Sequence, residues 1–252
     1  EDNLESLLKC PETATFGVHP VLDSFLHARY CSNEREIRNM LNKFGIALAA
    51  LMLIGTAPAL AQNKDAEPPA PNGTVSDLKL TDKEYAMGPA DAKVVFVEYA
   101  SLTCPHCAQF HTSVLPDIKK EFVDTGKIRY VYRDFPLDRL ALGAAMVARC
   151  AGRDSFFGFI DTFYAAQGQW SRASNPISAL GNLAKLGGMS KSKFEACLKD
   201  VEIQNGILKQ RLKASNEFKV QTTPTVFVNG ERYGGGMTLD QMRTLLNRKL
   251  AE

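Results

Sequence analysis

Apolar positions fall into two periodicities along this chain, and their alternation outlines the elements. Residues 93–99 (Lys-Val-Val-Phe-Val-Glu-Tyr) form a β-branched and aromatic run that predicts a buried strand. A similar run at 128–132 (Ile-Arg-Tyr-Val-Tyr) predicts a second. Between them Phe110, Val114 and Ile118 lie on one stripe of a helix that starts at Pro105 and runs to about residue 123. Gly126 suits its end. Strand, helix and strand at this spacing make a βαβ unit, so the two strands should be parallel.

The pattern then changes to helical spacing from 137 to about 218. An Ala-rich stretch covers 140–151, and 155–166 carries Phe156, Phe159, Ile160 and Phe163. Asn175-Pro176 is a cap with proline at the first helical position, and Gly187-Gly188 closes that helix. Segments 190–198 and 201–216 complete a run of about five helices. Trp170 and the phenylalanines of this region read as core, with some available to line a peptide groove. A strand returns at Thr225-Val226-Phe227-Val228, followed by the hairpin turn Asn229-Gly230 and a return strand from Arg232-Tyr233. Thr238 caps a last helix carrying Met242, Leu245, Leu246 and Leu250. The order βαβ, helical block, ββα predicts an α/β domain, in halves 83–136 and 220–252, interrupted by an all-helical insertion at 137–219.

The N-terminal third follows another logic. Met40-Leu41-Asn42-Lys43 is a short basic start, 44–60 is apolar and uncharged, and Ala59-Leu60-Ala61 is a small-x-small site. Residues 40–61 thus have the layout of a secretory signal peptide, with an uncleaved membrane anchor as the alternative. Residues 1–39 read as an upstream extension absent from the mature protein, which leaves Cys10 and Cys31 without function; a cytoplasmic tail is the other reading. The Pro-rich polar run 62–76 cannot bury a core and reads as the main part of a flexible linker over 62–82.

Charge narrows the function classes. A formal net charge of +2 over 252 residues provides no basic field for nucleic acid, and Lys119-Lys120 reads as a solvated helix face. Six cysteines are too few for a small disulfide-stapled scaffold. Export makes their redox state the next question.

The chemistry concentrates in Cys104-Pro105-His106-Cys107. A Cys-x-x-Cys pair opening a helix puts its first sulfur beside unpaired N–H groups and the positive end of the helix dipole. That environment favours the thiolate, which is the reactive form. His106 adds a donor next to that sulfur, and a positive charge when protonated. Cys107 lies one turn deeper. Stabilising the Cys104 thiolate stabilises the dithiol and makes the disulfide a stronger oxidant. Competing readings are a purely structural disulfide and a metal site built from Cys104, Cys107 and His111, which is short of ligands. Cys150 and Cys197 fall in separate helices of the insertion. In an exported protein they read as a structural disulfide worth up to roughly 4 kcal/mol by loop entropy, with a free buried pair as the alternative.

Over residues 83–252 the sequence resembles the DsbA family of periplasmic thiol–disulfide oxidoreductases. The tetrapeptide at 104–107 is typical of that family. The resemblance implies a thioredoxin-like fold with a helical insertion. It also implies a buried proton-transferring role for Glu98, six residues before Cys104, and a cis Pro224 packed against the active-site disulfide. Glu98 could otherwise face solvent on an edge strand, and Pro224 could be trans. Thr223 would offer its backbone to an extended substrate. The chain departs from the best-known strong oxidases at Thr223, where they carry an apolar residue. That leaves isomerase or reductase chemistry open beside oxidation. Related proteins also carry a second disulfide in the helical domain.

The combined expectation is a periplasmic, monomeric oxidoreductase. It oxidises reduced, unfolded exported proteins, needs no cofactor or metal of its own, and is reoxidised by a quinone-linked membrane protein resembling DsbB. A peptide-binding chaperone or metal-handling module on the same fold is the rival from a different class.

Overall fold

The computed structural model describes residues 67–252 apart from Asp77, Lys79 and Asp82. The upstream segment, the stretch at 40–61 expected to direct export, Cys10, Cys31 and the first residues of the linker lie outside the described residues. Among the described residues, no helix is long and apolar enough to cross a membrane.

Five strands form one mixed sheet in the order β1-β3-β2-β4-β5. They are β1 (Tyr85–Met87), β2 (Val94–Ala100), β3 (Ile128–Asp134), β4 (Thr225–Val228) and β5 (Glu231–Gly234). β2 and β3 run parallel, with Glu98 opposite Tyr132, as a helical crossover requires. β4 runs antiparallel to β2, with Val226 opposite Glu98. β4 and β5 are joined by Asn229-Gly230, both at positive φ (47° and 86°), the conformation that this turn demands. The edge strand β1, antiparallel to β3, is too short to show a periodicity in the sequence.

The central strand β2 is apolar on both faces. Phe96 and Ala100 enter one apolar cluster, and Val97 and Tyr99 enter a second on the opposite face. This is the period-two alternation of a strand covered on both sides. Glu98 falls between Phe96 and Ala100 in that alternation and is 0% exposed. Flanked by β3 and β4, it is not on an edge strand, which removes the solvent-facing reading.

The first helix is not continuous to residue 123. It divides into α1 (Pro105–Ser113), α2 (Leu115–Ile118) and a π-helical turn at Lys119–Val123. Pro116 explains the break, because it has no N–H to donate to the carbonyl four residues back. Gly126, at φ +75°, ends the segment and turns the chain into β3.

The insertion comprises α3 (Arg139–Cys150), α4 (Arg153–Ala165), the one-turn α5 (Gln167–Trp170), α6 (Pro176–Leu186), α7 (Lys191–Cys197) and α8 (Val201–Asn216). Asp138, Asn175, Ser190 and Asp200 cap α3, α6, α7 and α8 through side-chain oxygens. Each such cap satisfies an N–H that the helix cannot, typically worth about 1 kcal/mol. Trp170, Phe156, Phe159, Ile160 and Phe163 are core. The last helix, α9 (Leu239–Ala251), starts on a Thr238/Gln241 capping box and buries Met242, Leu245 and Leu246 against the sheet.

The N-terminal segment departs from the tether expectation in its described part. Asn72 N–H donates to Arg232 O, Arg232 N–H to Gly73 O and Val75 N–H to Gly230 O, at 2.7–2.8 Å. The Arg232 guanidinium also holds Asn72 Oδ1. Residues 72–75 therefore lie along the outer side of β5 and cover its open edge. A polar, Pro-rich composition does not preclude this, because backbone hydrogen bonds need no apolar side chain.

Candidate active site

Cys104 is the N-cap of α1, in extended conformation (φ −79°, ψ 120°), and Pro105 occupies the first turn. The two cysteines are both free thiols, so the structure represents the dithiol. Cys104 is 6% exposed and Cys107 0%. The pair is therefore asymmetric in access, with Cys104 the sulfur that a partner can reach.

It is asymmetric in acidity as well. The Cys104 thiol is lowered from 9.0 to about 5. The largest cause is a hydrogen bond from the Cys107 thiol. Thr223 and the backbone N–H groups of Cys107 and His106 add to it, against the opposing cost of burial. Cys107 moves well up, first because it is buried, then because of its bond to Cys104 and the charge of Glu98. The part of His106 in this balance is its backbone N–H; its side chain is exposed. The N–H groups at the start of α1 are those a helix leaves unpaired, and here they face a sulfur.

Thr223-Pro224 is a cis peptide. It leads into β4 and brings the Thr223 carbonyl to 3.2 Å from Cys104 Sγ, which donates to it. Thr223 Oγ1 is buried with no hydrogen-bond partner in the thiol state, and it lies near enough to the Cys104 sulfur to favour its thiolate.

Behind Cys107 lies a buried polar cluster. Glu98 Oε2 is 3.0 Å from His111 Nε2 on α1 and accepts a hydrogen bond from the Tyr130 hydroxyl on β3. His111 stacks on Tyr164 of α4, ring centroids 4.1 Å apart. Burial raises the phenols of Tyr130, Tyr132 and Tyr164 well above their ordinary value, so they remain neutral donors. The sequence pattern offers His111 only as a sulfur-side metal ligand. Its Nε2 instead meets Glu98. Among the described residues, no group of three or more His, Cys, Asp or Glu side chains could hold a metal ion.

Two further groups steady the loop before Cys104, and the sequence pattern reveals neither. Gln167 Nε2, from α5, donates to the carbonyls of Leu102 (2.9 Å) and Cys104 (3.0 Å). Thr103 Oγ1 donates to Asp138 Oδ2 at 2.6 Å, while Asp138 Oδ1 caps α3. Neither pair carries a motif, since contacts across 63 to 65 and 35 positions leave no local pattern. Cys150 and Cys197 are joined by a disulfide that links α3 to α7.

A cysteine pair with one acidic, reachable sulfur and one buried sulfur, on a β2–α1 junction beside a cis-proline loop, defines a thioredoxin-fold thiol–disulfide exchanger. Comparison with known proteins agrees. The thioredoxin family model matches residues 80–248. The chain is 33% identical over 176 residues to a Rickettsia felis protein and over 174 to one from Rickettsia bellii, both named protein-disulfide oxidoreductases. These matches cover 69% of the chain, and 63% and 67% of the two relatives, so the chain spans about two thirds of their length. The crystal structure of Wolbachia pipientis alpha-DsbA1 superposes with a TM-score of 0.65 at 29% identity, covering 69% of this chain and 94% of that one. The chain belongs to the DsbA-like family of thiol–disulfide oxidoreductases.

Proposed function

We propose that the chain introduces disulfides into exported proteins through Cys104 and Cys107. The observation that carries this reading is the acidity of Cys104, at about 5 beside a Cys107 that is pushed up. Each pKa unit by which a thiolate is stabilised below ambient pH favours the dithiol by about 1.4 kcal/mol, or about 30 mV for a two-electron couple.

The cycle starts from the Cys104–Cys107 disulfide. A substrate thiolate attacks Cys104 Sγ, and the bond to Cys107 breaks. Cys107 leaves as a thiolate and takes up a proton within the buried cluster that contains Glu98. The substrate is held as an added strand on the backbone of Thr223. Its second thiolate attacks the substrate sulfur of the mixed disulfide. Cys104 leaves as a stabilised thiolate, with the helix-start N–H groups facing it. Two substrate thiols have become a disulfide and the protein a dithiol. A quinone-linked membrane protein of the DsbB kind then returns the protein to its oxidised form.

In this reading residues 40–61 direct export to the periplasm, the protein acts as a monomer, and no cofactor takes part. Cys150–Cys197 holds the insertion together and stays out of the cycle. One feature favours isomerase or reductase chemistry instead: the Thr223 hydroxyl, buried beside the sulfurs.

The test is a redox titration of Cys104–Cys107 against glutathione, with oxidation of a reduced unfolded protein measured in parallel. An oxidising potential and stoichiometric disulfide transfer are expected. An equilibrium near that of thioredoxin overturns the oxidase role. A Cys104→Ala chain that keeps full activity would support the chaperone reading and overturn thiol chemistry as the function.

A further inference from the structure

The buried cluster behind Cys107 contains two atoms without a protein hydrogen-bond partner, Glu98 Oε1 and His111 Nδ1. They belong to the two ends of one pair. Glu98 Oε2 is occupied twice, by His111 Nε2 and by the Tyr130 hydroxyl. Oε1 is left open within a carboxylate whose charge reaches Cys107. On the other side, His111 extends the pair toward α4. There it stacks on Tyr164, and Asp161, one helical turn earlier, is within its electrostatic reach.

The geometry points to His111 as a positioning residue that carries the proton exchanged between Glu98 and the outside during each redox cycle. This rests on the thiol–disulfide reading of Cys104 and Cys107. Before reaction the Glu98–His111 pair holds one proton more than a bare carboxylate and a neutral imidazole. When the Cys104–Cys107 bond breaks, Cys107 leaves as a thiolate in an apolar setting that strongly disfavours its charge. The pair gives up that proton, an S–H bond forms at Cys107, and Glu98 remains a carboxylate beside a neutral His111. Nδ1 then takes a proton from the Asp161 side and restores the pair. In the reverse direction the pair first releases its proton through Nδ1 to the Asp161 side and then takes the one from Cys107 before that sulfur attacks. No electron moves in these steps; they balance the charge that the sulfur exchange creates.

The groups around His111 fit this role. Cys107 is on its own helix, Glu98 on β2, and Tyr130 and Tyr132 on β3. Tyr164 and Asp161 are on α4, and Lys119, at the π-helical turn, acts on Asp161. The tyrosines are held neutral by burial. Asp161 is the carboxylate at the outer end, its own pKa raised by partial burial and lowered by His111 and Lys119. Asp161 and Lys119 thus form the solvent-side terminus. Of the groups between it and Glu98, the imidazole is the one in contact with both the Glu98 carboxylate and α4.

The test uses the full chain, oxidised at Cys104–Cys107, and follows its reduction by dithiothreitol with acid quench and thiol alkylation. Rates are measured as a function of pH in H2O and D2O. His111→Gln retains an amide N–H for Glu98 Oε2 but carries no proton. It should slow reduction by roughly tenfold or more, within what positioned proton transfer contributes, and change the pH profile and the solvent isotope effect. The Cys104 thiolate titration should be unchanged. A His111→Gln rate and pH profile equal to those of the unaltered chain overturns the proposal, and so does a slowing that is uniform in pH with an unchanged isotope effect. If the variant is poorly folded, the nitrogen chemical shifts of His111 in the unaltered chain decide. They must change with pH over the range in which the reduction rate changes, and shifts that stay constant over that range overturn the proposal. Small-dithiol exchange proceeds whichever way the enzyme runs in the cell. A chain that exchanges readily but fails to oxidise unfolded protein therefore overturns the proposed function and leaves this inference standing.

Discussion

Cys104 Sγ donates a hydrogen bond to the backbone carbonyl of Thr223 at 3.2 Å, across 119 positions of sequence. The contact joins the start of α1 to the cis-proline loop before β4 and places the more acidic sulfur against the backbone that the proposed function assigns to an extended substrate. Both halves of the split α/β domain thereby contribute to one site. The different treatment that the surrounding groups give the two sulfurs has measurable consequences.

Thiolate absorbance of the dithiol should titrate with a midpoint near 5, the value to which Cys104 is lowered. Above that pH, reduction takes up one proton; below it, two. The midpoint potential should then fall by about 30 mV per pH unit above the inflection and about 59 mV below it. The same ionisation stabilises the folded dithiol. That contribution is fully present above the unfolded thiol's pKa of about 8.5 and is lost as pH falls toward the folded value. Denaturant melts of the reduced form should show this loss between those limits, and melts of the oxidised form should not. Identical pH dependence in the two forms would contradict the assignment.

Glu98→Gln removes a charge that holds the Cys107 thiol up. The Cys107 pKa should fall, as read from its carbon-13 Cβ shift, and still stay well above that of Cys104. Burial, the first cause of its elevation, is untouched. A Cys107 pKa that does not move would place the Glu98 charge out of its reach.

Gln167→Ala should destabilise the protein by about 1–3 kcal/mol, because the buried carbonyl of Leu102 loses its side-chain donor. The Cys104 carbonyl keeps the Ala108 N–H. Urea unfolding of the two chains measures the difference. A change below roughly 0.5 kcal/mol, the scale of ordinary surface substitutions, would mean that water replaces the amide without cost.

Replacing Cys150 and Cys197 together by serine should cost up to about 4 kcal/mol of stability by the loop-entropy account. The bond ties α3 to α7 within the insertion, whereas the reactive pair opens α1. The Cys104 thiolate titration should therefore be unaffected, and a displaced midpoint in the double variant would reveal coupling between the two.

Local chemistry makes much of this fold legible in the amino-acid sequence. The βαβ and ββα halves, the helical insertion, the Asn229-Gly230 turn and the caps at Asn175 and Thr238 are all short-range patterns. Each depends on a residue and its neighbours within one turn or one strand. The break of the first helix at Pro116 is legible in principle, since proline carries its own steric rule. The docking of residues 72–75 on β5 is not, because backbone pairing leaves no mark on composition.

Which residues could react is written locally in the chain: two cysteines at a helix start, with an acid in the strand before them. How they differ, and which groups serve them, follows from packing. The central position of β2 buried Glu98, the packing of α1 and β3 around it supplied His111 and Tyr130, and the insertion returned Gln167 to the loop. Reactivity at Cys104 begins with one helix terminus, a local property. Acidity and proton exchange depend on burial and on charges brought together from distant parts of the chain, and those are set by packing.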